Sequence, residues 1–136
     1  MLELKAVLDK DFVTIRYSAE QKLIRNEWRG VIPSVELRAA MIYSCEFILA
    51  NKVELILADF TLMCAPTLED QVWIANHTAA LLQHSNLKRV ANLMAQDLFQ
   101  QIAVQAIYDM ASEIPLPCES RDFVTEEDAL EWLFSP

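Results

Sequence analysis

The hydrophobic positions of this chain follow two different patterns. Between residues 12 and 30, two short runs, "FVTIRY" and "KLIRNEW", flank the loop "SAEQ". In the second run Ile24, Asn26 and Trp28 alternate with charged residues, and this period of two predicts an antiparallel hairpin with one covered face. Residues 2–8 fit either an edge strand or an irregular lead-in, and the pattern does not decide between them.

Further along, nearly continuous apolar runs alternate with helical spacing. Residues 53–58 and 90–95 are typical of strands covered on both faces, and a last strand is predicted within residues 118–124. Each predicted helix follows a residue that favours the N-cap position. The four predicted caps are Ser34, Thr67, Asp97 and Thr125.

This order of elements predicts a single α/β domain over residues 1–136. Strands that alternate with helices imply parallel crossovers, whereas the opening hairpin adds an antiparallel pair. We therefore expect a single mixed sheet, with an N-terminal antiparallel hairpin followed by parallel βα units, flanked by about four helices.

The composition excludes several classes of partner. The formal net charge is −9, and binding to nucleic acid or to anionic lipid depends on clustered basic residues. Charged residues interrupt each apolar run before the length of about 18 residues that a membrane span needs. The first residues lack the uninterrupted apolar stretch of a secretory signal. We expect a cytoplasmic protein without a membrane span, and an odd number of cysteines, 3, fits reduced thiols there.

A single glycine, Gly30, limits cofactor binding. Loops that wrap phosphates need several glycines, because backbone N–H groups must approach the anion closely. The sequence therefore predicts no nucleotide cofactor bound through the common motifs, and no other cofactor is indicated.

The candidate ligand or partner surface lies where parallel strands are expected to end. Asp59 and Asp97 each follow an apolar run, at the edge where open α/β sheets bind ligands. Thr61, Cys64 and Thr67 lie in the segment that leads from Asp59 into the next helix, and a helix N-terminus favours a thiolate. Asp97 and Thr67 also have a purely structural role available, as N-caps.

No catalytic residue and no metal ligand is predicted. His77 and His84 lie two helical turns apart, about 10 Å along the axis, so one metal ion does not bridge them. The helix also carries both imidazoles away from Cys64, which leaves that thiol without a base. A metal site built on Asp59 and Asp97 would also need a lysine at the end of a further strand, and the predicted last strand has Arg121 there instead.

Large apolar side chains indicate how the helices pack. Trp73 and Trp132 are predicted to anchor the core. The helical segments at residues 41–50 and 102–110 are apolar on more than one stripe, which is typical of helices that are sandwiched or covered by another chain. Self-association as a homodimer is therefore expected.

Several short motifs resemble a known family. These are "EWRG" with Trp28 and Gly30, the acid Asp59 after an apolar strand, the helical Trp73, and the terminal "DFVTEEDALEWL". In this order they resemble the SpoIIAA-like branch of the STAS domains, also described as STAS/SEC14-like. The resemblance implies a mixed sheet flanked by helices and a regulatory binding role. It also implies a serine phosphorylated in a D-S-S-G-like turn, but the segment here, "DFTLMCAPTLED", has neither that serine nor that glycine.

Three hypotheses follow from the sequence. The first is a non-enzymatic, STAS-like regulatory module that binds another protein, including a second copy of itself. The second is a binder of a small apolar or lipid-like ligand in a crevice around Asp59, Thr61, Cys64 and Asp97. An enzyme that uses these same residues is the third.

Overall fold

The computed structural model describes residues 2–94, 97–111 and 114–136. In it, the predicted strands and helices follow one another in the expected order, and the undecided N-terminal segment adds a sixth strand. The strands are β1 (Lys5–Lys10), β2 (Val13–Ser18), β3 (Leu23–Gly30), β4 (Leu55–Met63), β5 (Arg89–Leu93) and β6 (Glu119–Phe123). The helices are α1 (Ser34–Ala50), α2 (Leu68–Leu82), α3 (Leu98–Ala111) and α4 (Glu126–Leu133). No helix among the described residues combines the length and the apolar character needed to cross a bilayer.

All six strands form one sheet in the order of the sequence. The pairs β1–β2 and β2–β3 are antiparallel, whereas β3, β4, β5 and β6 are parallel neighbours. The mixed α/β fold is therefore confirmed. The undecided N-terminal segment is an edge strand that begins at Lys5.

The order of the strands decides where the helices lie. Parallel crossovers are right-handed, and three of them step in the same direction across this sheet, so α1, α2 and α3 cover the same face. Helix α2 accordingly packs between α1 and α3, and α4 instead contacts β4, β5 and β6 on the opposite face.

Each face of the sheet has its own apolar cluster. Ile24, Trp28 and Ile56 lie in the larger cluster, which faces α1, α2 and α3. Leu57 and Ala91 belong to the smaller one, beneath α4. Burial of a leucine or isoleucine side chain stabilises the fold by about 1.5–3 kcal/mol. The alternation predicted for β3 thus places its even-numbered side chains under three helices.

Two expected element boundaries are wrong. Ser34 is the first residue of α1 and not its N-cap, which is Pro33, and the Ser34 hydroxyl instead donates a hydrogen bond to Asp70 Oδ2 at 2.7 Å. Asp59 does not end its strand, because β4 continues as far as Met63. The caps Thr67 and Thr125 are confirmed, since each hydroxyl accepts the backbone N–H three residues on.

Gly30, the one glycine, ends β3 with a φ of 72°. A side chain rarely adopts this left-handed backbone. No atom lies within 4 Å of the position that a Cβ would take, so backbone conformation and not close packing explains the glycine.

Candidate functional site: a cavity beneath three helices

Asp59 points to the α4 face, where it is paired with a cation. Its Oδ2 accepts a hydrogen bond from Arg25 Nη2 at 3.0 Å. The same guanidinium donates to Glu27 at 3.0 Å and to Glu126 of α4 at 2.6 Å. Burial acts to lower the pKa of Arg25, but the bonds to Glu126 and Glu27 outweigh burial and raise this pKa above its ordinary value. Asp59 therefore belongs to an ion-pair network that joins β3, β4 and α4.

Thr61 and Cys64 lie near the same end of β4. The backbone N–H and the hydroxyl of Thr61 both donate to Asp59 Oδ1, at 3.0 and 2.6 Å. Cys64 is exposed, and its backbone N–H donates to the carbonyl oxygen of Gly30 at 3.0 Å. The structure thus brings Thr61 to Asp59, and Cys64 to the end of β3.

Thr67 and Asp97 each cap a helix. The hydroxyl of Thr67 accepts the Asp70 N–H at the start of α2, at 3.2 Å. Asp97 Oδ1 accepts the N–H groups of Phe99 and Gln100 at the start of α3, at 2.9 and 3.4 Å. Both residues therefore act as N-caps, which is the structural alternative that the sequence analysis gave beside a role in ligand binding.

Thr67 and Asp70 have the spacing of a capping box, but the Asp70 carboxylate bonds to another helix. The carboxylate accepts hydrogen bonds from Ser34 of α1 and from Arg38 Nε at 3.1 Å, and only 2% of the residue is exposed. This buried carboxylate ties α1 to α2. A capping pattern gave no sign of the contact, because the partners lie more than thirty residues away in sequence.

The histidines and two of the tryptophans lie at the surface or at its edge. His77 stacks on Trp73 with ring centroids 4.6 Å apart, and both His77 and His84 are exposed. Trp73 and Trp132 are half-buried, whereas Trp28 is the tryptophan that the core encloses. Among the described residues, no three histidine, cysteine or acidic side chains converge as a metal site would require.

A cavity of about 170 Å³ lies between the sheet and the helices α1, α2 and α3. Its floor includes Trp28, Ile56 and Ala58 of β3 and β4, while Ala79 and Val104 line it from α2 and α3. The five residues predicted from the sequence as a ligand surface are not among those that line it. The cavity runs under the helices, whereas the sequence predicted a crevice at the strand ends.

The polar groups of the cavity are mostly paired with one another. The Trp28 indole N–H donates to Asn26 Oδ1 at 2.9 Å. The hydroxyl of Tyr108 donates to Asn92 Oδ1 at 3.1 Å, and Asn92 Nδ2 donates to Asp122 at 3.2 Å. Burial raises the pKa of Tyr108, with the bond to Asn92 acting against it, so its hydroxyl stays a hydrogen-bond donor at neutral pH.

Gln100 is the exception among these polar groups. Its side chain lines the cavity and is fully buried, and neither Nε2 nor Oε1 has a hydrogen-bond partner. The sequence held a signal for it, because Gln100 starts the helical series 100, 103, 104, 107, 108 and 111 that lines the cavity or its wall. The signal is weak in the sequence, because Gln100 and Gln101 together resemble the polar first turn of an ordinary surface helix.

Comparison with known proteins shows the fold. A search of family models found no match, and no curated protein matches by sequence. Among solved structures, an uncharacterised protein from the DUF3478 family with a SpoIIAA-like fold, from Shewanella loihica PV-4, aligns with a TM-score of 0.54. The alignment covers 97% of this chain and 93% of that one, at 20% sequence identity.

The chain has a SpoIIAA-like fold. This confirms the resemblance seen in the sequence at the level of architecture, which is as far as 20% identity reaches. In this SpoIIAA-like chain, the segment after Ala58, where the resemblance implied a phosphorylated turn, continues as strand β4.

Proposed function

We propose that this SpoIIAA-like chain is a cytoplasmic, non-enzymatic binding module that holds a small, mainly apolar ligand between its sheet and helices α1, α2 and α3. The observation that carries the proposal is the cavity of about 170 Å³ at that place. Protein interiors normally leave few voids larger than a water molecule. A void of this size in a chain of 136 residues therefore calls for an occupant.

The energetic cost of an empty cavity supports the same reading. Side chains that line an unfilled space lack contacting atoms on one side and lose those dispersion contacts, which lowers stability. Folded domains retain only about 5–15 kcal/mol in total. A ligand that fills the space restores the missing contacts, so bound and empty forms are expected to differ clearly in stability.

The chemistry of the lining supports binding without turnover. The described residues that line the cavity carry no ionised side chain, since the lining holds no lysine, arginine, histidine, aspartate or glutamate. Cys45 lines it, but burial, with a smaller contribution from Glu46, raises the pKa of its thiol to about 12. The nucleophilic thiolate is therefore scarce at neutral pH, and a bound molecule meets groups that hold it and do not transform it.

A cavity-filling substitution tests this function. Ala79 lines the cavity from α2, and the next residue, Ala80, is exposed on the same helix. We expect toluene to raise the melting temperature of the wild-type protein and of Ala80→Leu in a concentration-dependent way, and to leave Ala79→Leu unchanged. Native mass spectrometry of protein purified from its own source should also show retained mass on the wild type.

Two results would count against the proposal. One is a panel of small apolar ligands that shifts neither the melting temperature nor any methyl resonance of a cavity residue. The other is a toluene response that survives Ala79→Leu, because the ligand would then bind elsewhere.

A second candidate function is binding of a partner protein, with self-association as the simplest case. It is favoured by Phe99 and Ile102 on α3, which are 77% and 57% exposed, and by the exposed Val124 in the loop before α4. Ile102 and Val124 also border an open groove between α3 and β6. Sedimentation velocity of the wild type and of Phe99→Ser tests it. A concentration-dependent dimer that the substitution weakens supports this function, and a monomer throughout the micromolar range argues against self-association.

A further inference from the structure

The fully buried amide of Gln100 has no partner within the described protein. Both its Nε2 and its Oε1 lack a hydrogen bond, and they are the buried side-chain polar atoms of the described residues of which this is true. Native proteins pair nearly all such groups, so an unpaired primary amide needs a specific explanation. Because Gln100 also lines the cavity, a bound molecule is in a position to supply the missing partner.

The backbone at Gln100 is firmly held. Its N–H donates to Asp97 Oδ1 in the cap of α3, and the helix continues for three turns beyond it. The helix itself has no need of a glutamine here, since methionine or leucine has an equal helix propensity and buries without cost. The start of α3 thus holds the Gln100 backbone beside the cavity that its side chain lines.

Of the three amides that line the cavity, Gln100 is the one with neither polar atom paired. Asn26 is engaged by Trp28, and Asn92 is engaged by Tyr108 and Asp122. The lining has no cation that would balance a bound anion. An ionised ligand would lose its hydration without gaining a counter-ion, which is strongly unfavourable.

We infer that Gln100 binds the polar end of the ligand through a paired donor and acceptor, and that the ligand is a neutral molecule with an aromatic ring or compact apolar body and a carboxamide-like group. This inference rests on the proposed function of the cavity. The size agrees, because a protein cavity of about 150 Å³ holds one benzene ring and this one measures about 170 Å³. A primary carboxamide offers the N–H and the carbonyl oxygen that complement those of glutamine.

Three probes that share one benzene ring separate the contributions. Benzamide carries the ring and the amide, toluene carries the ring alone, and benzoate carries the ring with a negative charge. Their dissociation constants would be measured by calorimetry at pH 7.5 for the wild type, for Gln100→Met and for Gln105→Met. Gln105 is a matched control, since it is an exposed glutamine of the same helix.

Gln100→Met should shift the preference for benzamide over toluene by about tenfold, which is the value of one to two net hydrogen bonds. Gln105→Met should leave the preference unchanged. Wild-type protein should bind benzoate at least about tenfold more weakly than benzamide, because the buried carboxylate would have no counter-ion.

The outcomes separate this inference from the proposed function. If toluene binds but Gln100→Met leaves the benzamide preference unchanged, or if benzoate binds as tightly as benzamide, the role of Gln100 is overturned and the cavity function stands. If no probe binds the wild type, the proposed function fails and this inference fails with it. Should Gln100→Met not fold, the wild-type side-chain amide resonance of Gln100 decides: a shift with benzamide that toluene does not reproduce supports the contact, and no such shift overturns it.

Discussion

Arg25→Met tests whether Asp59 is a structural residue or an available ligand group. Arg25 donates to three carboxylates, those of Asp59, Glu27 and Glu126. The substitution retains most of the apolar stem of the side chain but removes the charged guanidinium. Asp59 then keeps its two bonds from Thr61 on Oδ1 and loses the cation at Oδ2.

The expected loss follows from the exposure of each pair. The side chains of Arg25 and Asp59 are 13% and 10% exposed, so this pair is largely desolvated. Removing one partner of a buried pair costs about 3–5 kcal/mol. Glu126 is 46% exposed, and a pair of that kind contributes at most about 1 kcal/mol. Because a little solvent reaches the network, we expect Arg25→Met to lower the free energy of unfolding by about 3 kcal/mol.

Urea unfolding followed by tryptophan fluorescence measures this change by linear extrapolation. Adding Asp59→Asn to Arg25→Met should restore about 1–2 kcal/mol, because the second change removes the unpaired charge. Arg121→Met is the control, since Arg121 is exposed and stacks on Trp132 at 5.2 Å, and it should cost less than about 1 kcal/mol. A loss below about 1 kcal/mol for Arg25→Met, with no coupling to Asp59→Asn, would refute the assignment and return Asp59 to the list of ligand groups.

Two further predictions concern the cavity. Burial raises the pKa of Cys45 from its ordinary value of 9.0 to about 12, so between these values the folded state holds more protons than the unfolded state and stability falls as pH rises. Cys45→Ala should reduce this alkaline slope in urea unfolding between pH 8 and pH 10.5, and an unchanged slope would contradict the assignment. In the absence of ligand, Gln100→Met should raise the free energy of unfolding by about 1–3 kcal/mol, because it removes two unpaired buried atoms. The control Gln105→Met should change this free energy by less than about 0.5 kcal/mol. If Gln100→Met instead lowers it by more than about 1 kcal/mol, the amide has a hydrogen-bond partner in the ligand-free protein.

The sequence predicted the order of elements well because the relevant signals are local. Continuous apolar runs mark strands covered on both faces, and Thr67 and Thr125 mark helix starts by bonds to an N–H three residues away. The end of β4 was wrong for the opposite reason. An acid after an apolar run looks like the end of a strand, but Arg25, 34 residues earlier, pairs with Asp59 and allows β4 to continue to Met63.

The cavity could not be predicted from the sequence, for a physical reason. Its volume is what remains after three helices settle on one sheet, and no local pattern of residues encodes a space between distant segments. The burial of Gln100 could be predicted in part, since helical spacing places it on the buried face of α3 with Val104 and Ala111. Recognising it as unpaired required the positions of Asn92 and Tyr108, whose side chains satisfy each other.

The buried polar groups differ in charge between the two faces of the sheet, and this difference matters for the choice of ligand. Under α4, the polar side chains are ionised and paired, as in the network of Arg25 and Asp59. Under α1, α2 and α3, the buried polar side chains that line the cavity are neutral: the amides of Asn26, Asn92 and Gln100 and the hydroxyl of Ser44. Strand alternation enforces the separation, because adjacent residues such as Ala58 and Asp59 point to opposite faces. The charges that stabilise the sheet are thereby kept out of the cavity, and a cavity lined by neutral groups favours an uncharged ligand over an ion of the same shape.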